Sequence, residues 1–213
     1  MAEKRPLNRM ERRRNKTREK IIRSGRELFI KNGYHATSIA NIMEHADLGH
    51  GTFYQYFENK KELFLTMIKN VEERIEEKAR LKIPKEERDI QQRIYIGILS
   101  VLQVYYEYQD LLAIIRDSMS LDEDFRQAGE RIQQIIIEKA VRDYHWCNKH
   151  GLCRNIDTDV ATLCIVSMIQ GAGDQIIFQP VAEEEVERIA KNLSEIIFHG
   201  LFTEKWIPNS EII

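Results

Sequence analysis

Thr52, Tyr54, Gln55 and Tyr56 stand within five residues of one another, inside the segment Gly33 to Leu63, GYHATSIANIMEHADLGHGTFYQYFENKKEL. Hydroxyls, phenols and a carboxamide donate to phosphate oxygens and base edges, and Gln has the bidentate geometry that reads adenine. Phe53 and Phe57, four apart, define the inner face of a short helix. The other face then carries His50, Thr52, Tyr54 (at its edge), Gln55 and Tyr56. Gly51 lets the start of this helix approach a phosphate backbone, which free N–H groups attract. Lys60 opposes the helix dipole in the first turn of the next helix. A phosphate at that point makes sense of its position.

No comparable group of residues points to catalysis. His35, His45, His50, His145, His150 and His199 show no HExxH or other metal spacing. A GxSxG motif and a phosphate-cradling glycine loop are both missing from the sequence. The expectation is a protein that is not an enzyme, with no catalytic residue, metal site or cofactor. Cys147, Cys153 and Cys164 are odd in number and lack CxxC spacing, so a disulfide framework or zinc site is not expected and a reducing cytoplasm suits them.

The elements around the tetrad read as helices. Residues 1–15 are basic and nearly devoid of apolar side chains, which predicts a disordered arm. From Lys16 a stripe of Ile21, Gly25, Leu28 and Phe29 predicts a first helix ending at Asn32-Gly33. Thr37 is read as the N-cap of a second, with Ile39, Ile42, Met43 and Ala46 facing inward. Asp47-Leu48-Gly49 breaks the pattern before a third helix, about His50 to Phe57. Asn59, with Glu62 three residues on, forms a capping-box pattern for a fourth, extending to about Lys82. Two helices joined by a tight turn, the second bearing polar side chains, make a helix-turn-helix whose second helix enters the major groove.

Charge supports that reading. The net charge of −2 alone argues against a nucleic-acid partner, yet residues 1–61 carry +7 and residues 62–213 carry −9. A basic module joined to an acidic body is the simple interpretation.

The pattern GY-xx-T-S-I-x-x-I-x-x-x-A through GTFYQYFENKKELF resembles the DNA-binding signature of the tetracycline-repressor (TetR) family of bacterial regulators, over residues 16 to about 65. The resemblance implies an all-α fold: a three-helix helix-turn-helix domain, placed at residues 16–61, and a helical effector-binding and dimerisation domain, placed at 62–213. It implies Thr37 on phosphate at the start of the second helix and Thr52, Tyr54, Gln55 and Tyr56 along the recognition helix. It further implies Lys60 on phosphate. With Arg18, His50 and Gly51 these are the expected DNA-binding residues. The sequence departs from the family pattern twice: Asp47 stands where a turn glycine is usual, and Gly49 where a Ser or Thr usually caps the recognition helix. Asp tolerates left-handed dihedrals, so the turn is expected to survive. Gly49 removes a phosphate contact.

Beyond Pro84, which marks a break, helical stretches are read at about 87–108, 110–119, 122–149, 157–178 and 183–202. A pattern of period two and a βαβ unit are not found. No stretch approaches the roughly 18 apolar residues of a membrane span, so no membrane partner is expected. Small residues in the last two helices suggest close approach, and the resemblance implies a homodimer formed through them. The expected interface is Val160, Cys164, Ser167, Gly171, Gln175, Ile189, Leu193, Ile197 and Leu201. An effector pocket is expected among the middle helices, lined by Phe64, Met67, Tyr95, Tyr105, Tyr106, Trp146, Met168 and Phe178. Arg116, Asp117 and Asp174 interrupt apolar stretches, where they either orient a polar end of a ligand or lie at caps and on the surface. The overall expectation is a cytoplasmic, homodimeric repressor that binds double-stranded operator DNA and is released by a small, mostly apolar effector. An activator, or a DNA-binding protein without an effector, is the alternative.

Overall fold

The computed structural model describes residues 8–80, 89–179 and 181–203. Those residues form helices: α1 (Arg9–Asn32), α2 (Ile39–His45), α3 (His50–Phe53), α4 (Lys60–Ala79), α5 (Ile90–Glu107), α6 (Gln109–Ser118), α7 (Glu123–Lys149), α8 (Thr158–Phe178) and α9 (Glu183–Leu201). No strand occurs among the described residues; one isolated antiparallel bridge joins Cys153 and Phe202. The chain divides into two units, Met1–Lys69 and Asn70–Ile213.

The division falls eight residues later than the expected boundary after 61. The cause is the first half of α4, whose Leu63, Phe64 and Met67 are buried in the first unit. There α1 comes close because residue 25 is glycine: a Cβ at that position would meet Leu63 Cδ2 at 2.9 Å and Met67 Cε at 3.0 Å. Phe29, Tyr34 and Phe64 stack around one another with ring centroids 5.2–5.8 Å apart.

The basic arm expected over residues 1–15 is corrected in its second half. Helix α1 begins at Arg9, capped by Asn8, whose side chain accepts from the Glu11 N–H at 2.8 Å while the Glu11 carboxylate accepts from the Asn8 N–H at 2.7 Å. This reciprocal cap anchors a helix start that side-chain hydrophobicity alone does not announce. Residues 1–7 lie outside the described residues, as does the break at Pro84.

In the second unit α5 packs most extensively on α9, and α8 touches α5, α6, α7 and α9. Gly173 lets α8 lie directly against Tyr105 of α5; a Cβ there would overlap the Tyr105 ring. Arg116 of α6 and Asp174 of α8 form an ion pair, and the Arg116 guanidinium sits 5.6 Å from the Phe178 ring. The interrupting charges Arg116 and Asp174 thus satisfy each other. The membrane expectation also needs correcting: α8 is long and apolar enough to cross a membrane by length and composition, with mean hydropathy 1.4 over its best window.

Candidate nucleic-acid interface and ligand cavity

The turn between α2 and α3 works through Asp47, whose φ is 47°. Asp accepts this left-handed dihedral where a turn glycine is usual. The Leu48 N–H reaches back to the Met43 carbonyl at 3.0 Å and the Asp47 N–H to the Glu44 carbonyl at 2.9 Å, closing the end of α2. Gly49 is the N-cap of α3 and supplies no side-chain hydrogen bond.

Helix α3 is shorter than the expected span to Phe57. Its regular part ends at Phe53, yet the Tyr56 and Phe57 N–H groups still donate to the Phe53 carbonyl at 2.9 and 3.0 Å. The added turn keeps Phe53 and Phe57 on one inner face, both fully buried and 5.7 Å apart. His50, Gly51, Tyr54 and Gln55 are exposed, while Thr52 and Tyr56 are half-buried. Tyr54 is 55% exposed, a large apolar surface given to solvent without any packing role. Gly51 has open space around a notional Cβ, so the fold itself does not demand glycine there. Helix α1 adds cations to this region: Arg14 lies 6.0 Å from the Tyr56 ring and Arg18 5.1 Å from the Phe57 ring.

Two residues do something other than expected. Thr37 is not the N-cap of α2. Ser38 is, in a full capping box with Asn41. Thr37 is buried, and its hydroxyl donates to the Gly33 carbonyl at 2.8 Å, with the Leu28 carbonyl at 3.2 Å as a second acceptor. A buried hydroxyl needs such partners, and this one pins the α1–α2 loop. Lys60 completes the same loop. Its ammonium donates to the carbonyls of Tyr34 and Thr37, each at 2.7 Å, and of His35 at 3.3 Å, and lies 4.5 Å from the Tyr34 ring centroid. Partial burial lowers its pKa from the ordinary lysine value. Lys60 is therefore a structural tie between α4 and the loop, its donors committed to carbonyls. Nothing in local sequence spacing reveals this, because the partners lie 23 to 26 residues away. The capping pattern at Asn59 is half realised: Asn59 accepts from the Glu62 N–H at 2.9 Å, but Glu62 accepts from Glu58 instead.

The sequence model of the bacterial regulatory proteins, tetR family, matches residues 21–67, the segment just described. The chain is a TetR-family transcriptional regulator. An uncharacterized HTH-type transcriptional regulator in the lacX 3′ region of Lactococcus lactis is 44% identical over 54 residues, which is 25% of this chain and 28% of that protein. The match to YdgC, an uncharacterized HTH-type transcriptional regulator of Bacillus subtilis, is fainter but long: 19% over 188 residues, 87% of this chain and 92% of that one. Among solved structures, NalD, the secondary repressor of the MexAB-OprM multidrug efflux pump in Pseudomonas aeruginosa, superposes with a TM-score of 0.63 at 24% identity, covering 90% of this chain and 99% of that one. High identity is thus confined to the helix-turn-helix, while the fold extends over nearly the whole regulator.

The second unit of this regulator encloses a cavity of about 440 Å³. That is the scale of a small-molecule site. Apolar side chains of α5, α7, α8 and α9 make most of its wall, among them Ile94, Ile98, Ile136, Ile165, Ile169 and Ile197. Ala79 and Arg80, at the end of α4, also line it. Of the eight expected pocket residues only Trp146 is in this wall. Phe64 and Met67 belong to the core of the first unit. Tyr105 is buried against Gly173, and burial pushes its phenol up to about 12 against the pull of Arg116. Phe178 is exposed under Arg116. Tyr95, Tyr106 and Met168 are half-buried elsewhere. Cys147 is in the wall, its thiol pushed up to about 12 by burial, with Arg93 pulling the other way.

The expected interface residues of α8 do lie outward: Val160, Cys164, Ser167, Gly171 and Gln175 are all exposed. Leu163, Phe178 and, on α9, Ile196 are exposed at 65%, 55% and 59%. Those three were missed. On α9, Ile197 and Leu201 are corrected to core positions, with Ile197 facing the cavity, while Ile189 and Leu193 are half-buried. The helix is apolar over more than half its circumference, so periodicity alone does not say which edge is outer.

Proposed function

We propose that this regulator is a cytoplasmic, homodimeric repressor that holds operator DNA through α3 and is released when a small, mostly apolar effector enters the cavity. The observation that carries the DNA part is the outward set Thr52, Tyr54, Gln55 and Tyr56 around an inner edge fixed by Phe53 and Phe57. Gln55 reads a base edge, and Thr52, Tyr54 and Tyr56 grip phosphates alongside His50, the Gly51 backbone and Arg18. Thr37 and Lys60 hold the loop that sets the position of α2.

The exposed stripe on α8, Val160, Leu163, Cys164, Ser167, Gly171, Gln175 and Phe178, supports a second copy as its cover. Apolar groups in such a row are costly to leave in water, and two-fold pairing buries the same stripe on both copies. Pairing also gives one short helix the affinity it lacks alone, by engaging two half-sites about 34–36 Å apart. The effector's route to the DNA is α4: its last turn lines the cavity and its first residue is Lys60. An effector that prefers the shifted position of α4 weakens DNA binding, and a coupling of about 1–3 kcal/mol is typical. NalD is named as a repressor, which supports that sign of regulation here.

Selection from random duplexes tests the reading. The expected product is a two-fold symmetric sequence with half-sites about one helical turn apart, bound by two chains or a multiple of two in sedimentation. Absence of any enriched sequence contradicts it. A reporter driven by the natural promoter is expected to rise on deletion of the regulator; a fall makes it an activator.

A further inference from the structure

The cavity is apolar over most of its wall, but its charges are not balanced. Arg80, Arg93, Lys139 and Arg142 line it, with Asp143 as the one carboxylate of the wall. Arg80 pairs with Glu76 at 2.8 Å. Lys139 and Arg142 share Asp143, at 2.5 and 3.7 Å. The stem of Lys139 passes over Gly97 of α5, with Cε 3.9 Å from the position of a notional Cβ, and its side chain is only 16% exposed. Arg93 is near enough to Cys147, one turn beyond Asp143 on α7, to act on its thiol. Three cations thus surround one carboxylate where α5 and α7 meet.

Tyr144, also in the wall, is 1% exposed, and its hydroxyl has no hydrogen-bond partner of good geometry among the described residues. It adjoins the Cys153 thiol, a weak partner at best. Buried hydroxyls are ordinarily bonded. A half-buried cation cluster and an unsatisfied donor in one wall call for the same thing, a ligand rich in acceptors and negative charge.

We propose that the effector is an anionic amphiphile, an apolar chain ending in a carboxylate or similar acidic headgroup. This rests on the reading of the cavity as the effector site. The chain takes the isoleucine-lined space, and the headgroup joins Asp143 among Lys139, Arg142 and Arg93. A cationic ligand meets like charge there. A neutral one gains the apolar contacts but leaves the excess charge uncompensated. Charge-assisted bonds to Arg and Lys are the stronger kind, which sets the preference.

Titration calorimetry on the full chain with decanoate, decanol and decyltrimethylammonium, each below its aggregation limit, tests this. Decanoate is expected to bind once per chain and about tenfold more tightly than decanol, with no binding of the ammonium. Lys139→Met and Arg93→Met are each expected to weaken decanoate about tenfold while changing decanol less than about twofold. Asp143→Asn is expected to hold or strengthen decanoate binding. Ile94→Trp, filling the cavity from a half-buried position, is expected to abolish it, and binding that persists in this variant places the ligand elsewhere and overturns the inference. Decanol or the ammonium binding as tightly as decanoate overturns the anionic preference while leaving the cavity as the effector site. Failure of all three probes to bind overturns both.

Discussion

In the unit Met1–Lys69, aromatic rings fill the interior and the side chains left over for function point outward: Tyr54 and Gln55 are exposed while Phe53 and Phe57 beside them are buried. In the unit Asn70–Ile213 the position is reversed, since a cavity of about 440 Å³ remains inside and the outer surface of α8 carries apolar side chains. The difference follows from what each unit is proposed to recognise. Phosphates and base edges need donors presented on a rigid surface. A small apolar effector needs a space the protein leaves unfilled, and a partner chain needs apolar surface left uncovered. A substitution that abolishes function should therefore spare stability in the first unit's outer face, and disturb packing or assembly in the second.

The largest expected effect breaks this comparison at the α8 surface. Leu163→Glu puts a charge in the proposed seam. Monomers and a loss of operator affinity of about a hundredfold or more are expected, because the second half-site no longer adds its binding energy. Sedimentation and operator titration check it, and a folded dimer with full affinity removes α8 from the interface. Lys60→Met comes next. It leaves the carbonyls of Tyr34 and Thr37 without their donor, at a cost of about 1–3 kcal/mol in thermal unfolding. An unchanged melting temperature with weakened DNA binding restores Lys60 to the role of a pure phosphate contact.

Gln55→Ala is expected to leave stability alone and to relax discrimination at one base pair by about 1–3 kcal/mol. Competition among single-base operator variants measures it, and intact preferences at every position end the assignment of Gln55 to direct readout. Gly49→Ser is the smallest change. A Cβ at residue 49 has room, with Thr52 Oγ1 at 3.9 Å. The added hydroxyl caps α3 and is expected to raise stability by a few tenths of a kcal/mol while tightening binding to every duplex alike.

The same contrast governs what the sequence discloses. Helix order and most ends were legible because stripes and caps are local: Asp122, Asp157 and Asn59 each begin a helix as their types suggest. The inner edge of α3 was legible from two phenylalanines. Lys60 was misread because its partners are remote in sequence, and Thr37 because it stands one residue before a better-placed Ser38. The cavity was misread more thoroughly. Tyr105 and Phe64 announce burial by their size, yet large side chains fill space, and a void is bordered by whatever fails to fill it. Here those are mainly isoleucines, with long cations at one part of the wall. The α8 stripe was legible, since exposed small and apolar residues recur there at helical spacing, whereas α9 is apolar on too many sides to choose.

The central claim, that the outer face of α3 reads DNA, is tested most directly by fluorescence-anisotropy titration of the purified protein and its Gln55→Ala variant against DNA from upstream of its own gene. Salt and unrelated competitor duplex are varied. Tight binding by the wild type that survives competitor, falls steeply but not completely with salt, and loses its margin over competitor in the variant is the predicted result. Weak binding that salt erases, equal for wild type and variant and indifferent to sequence, contradicts it.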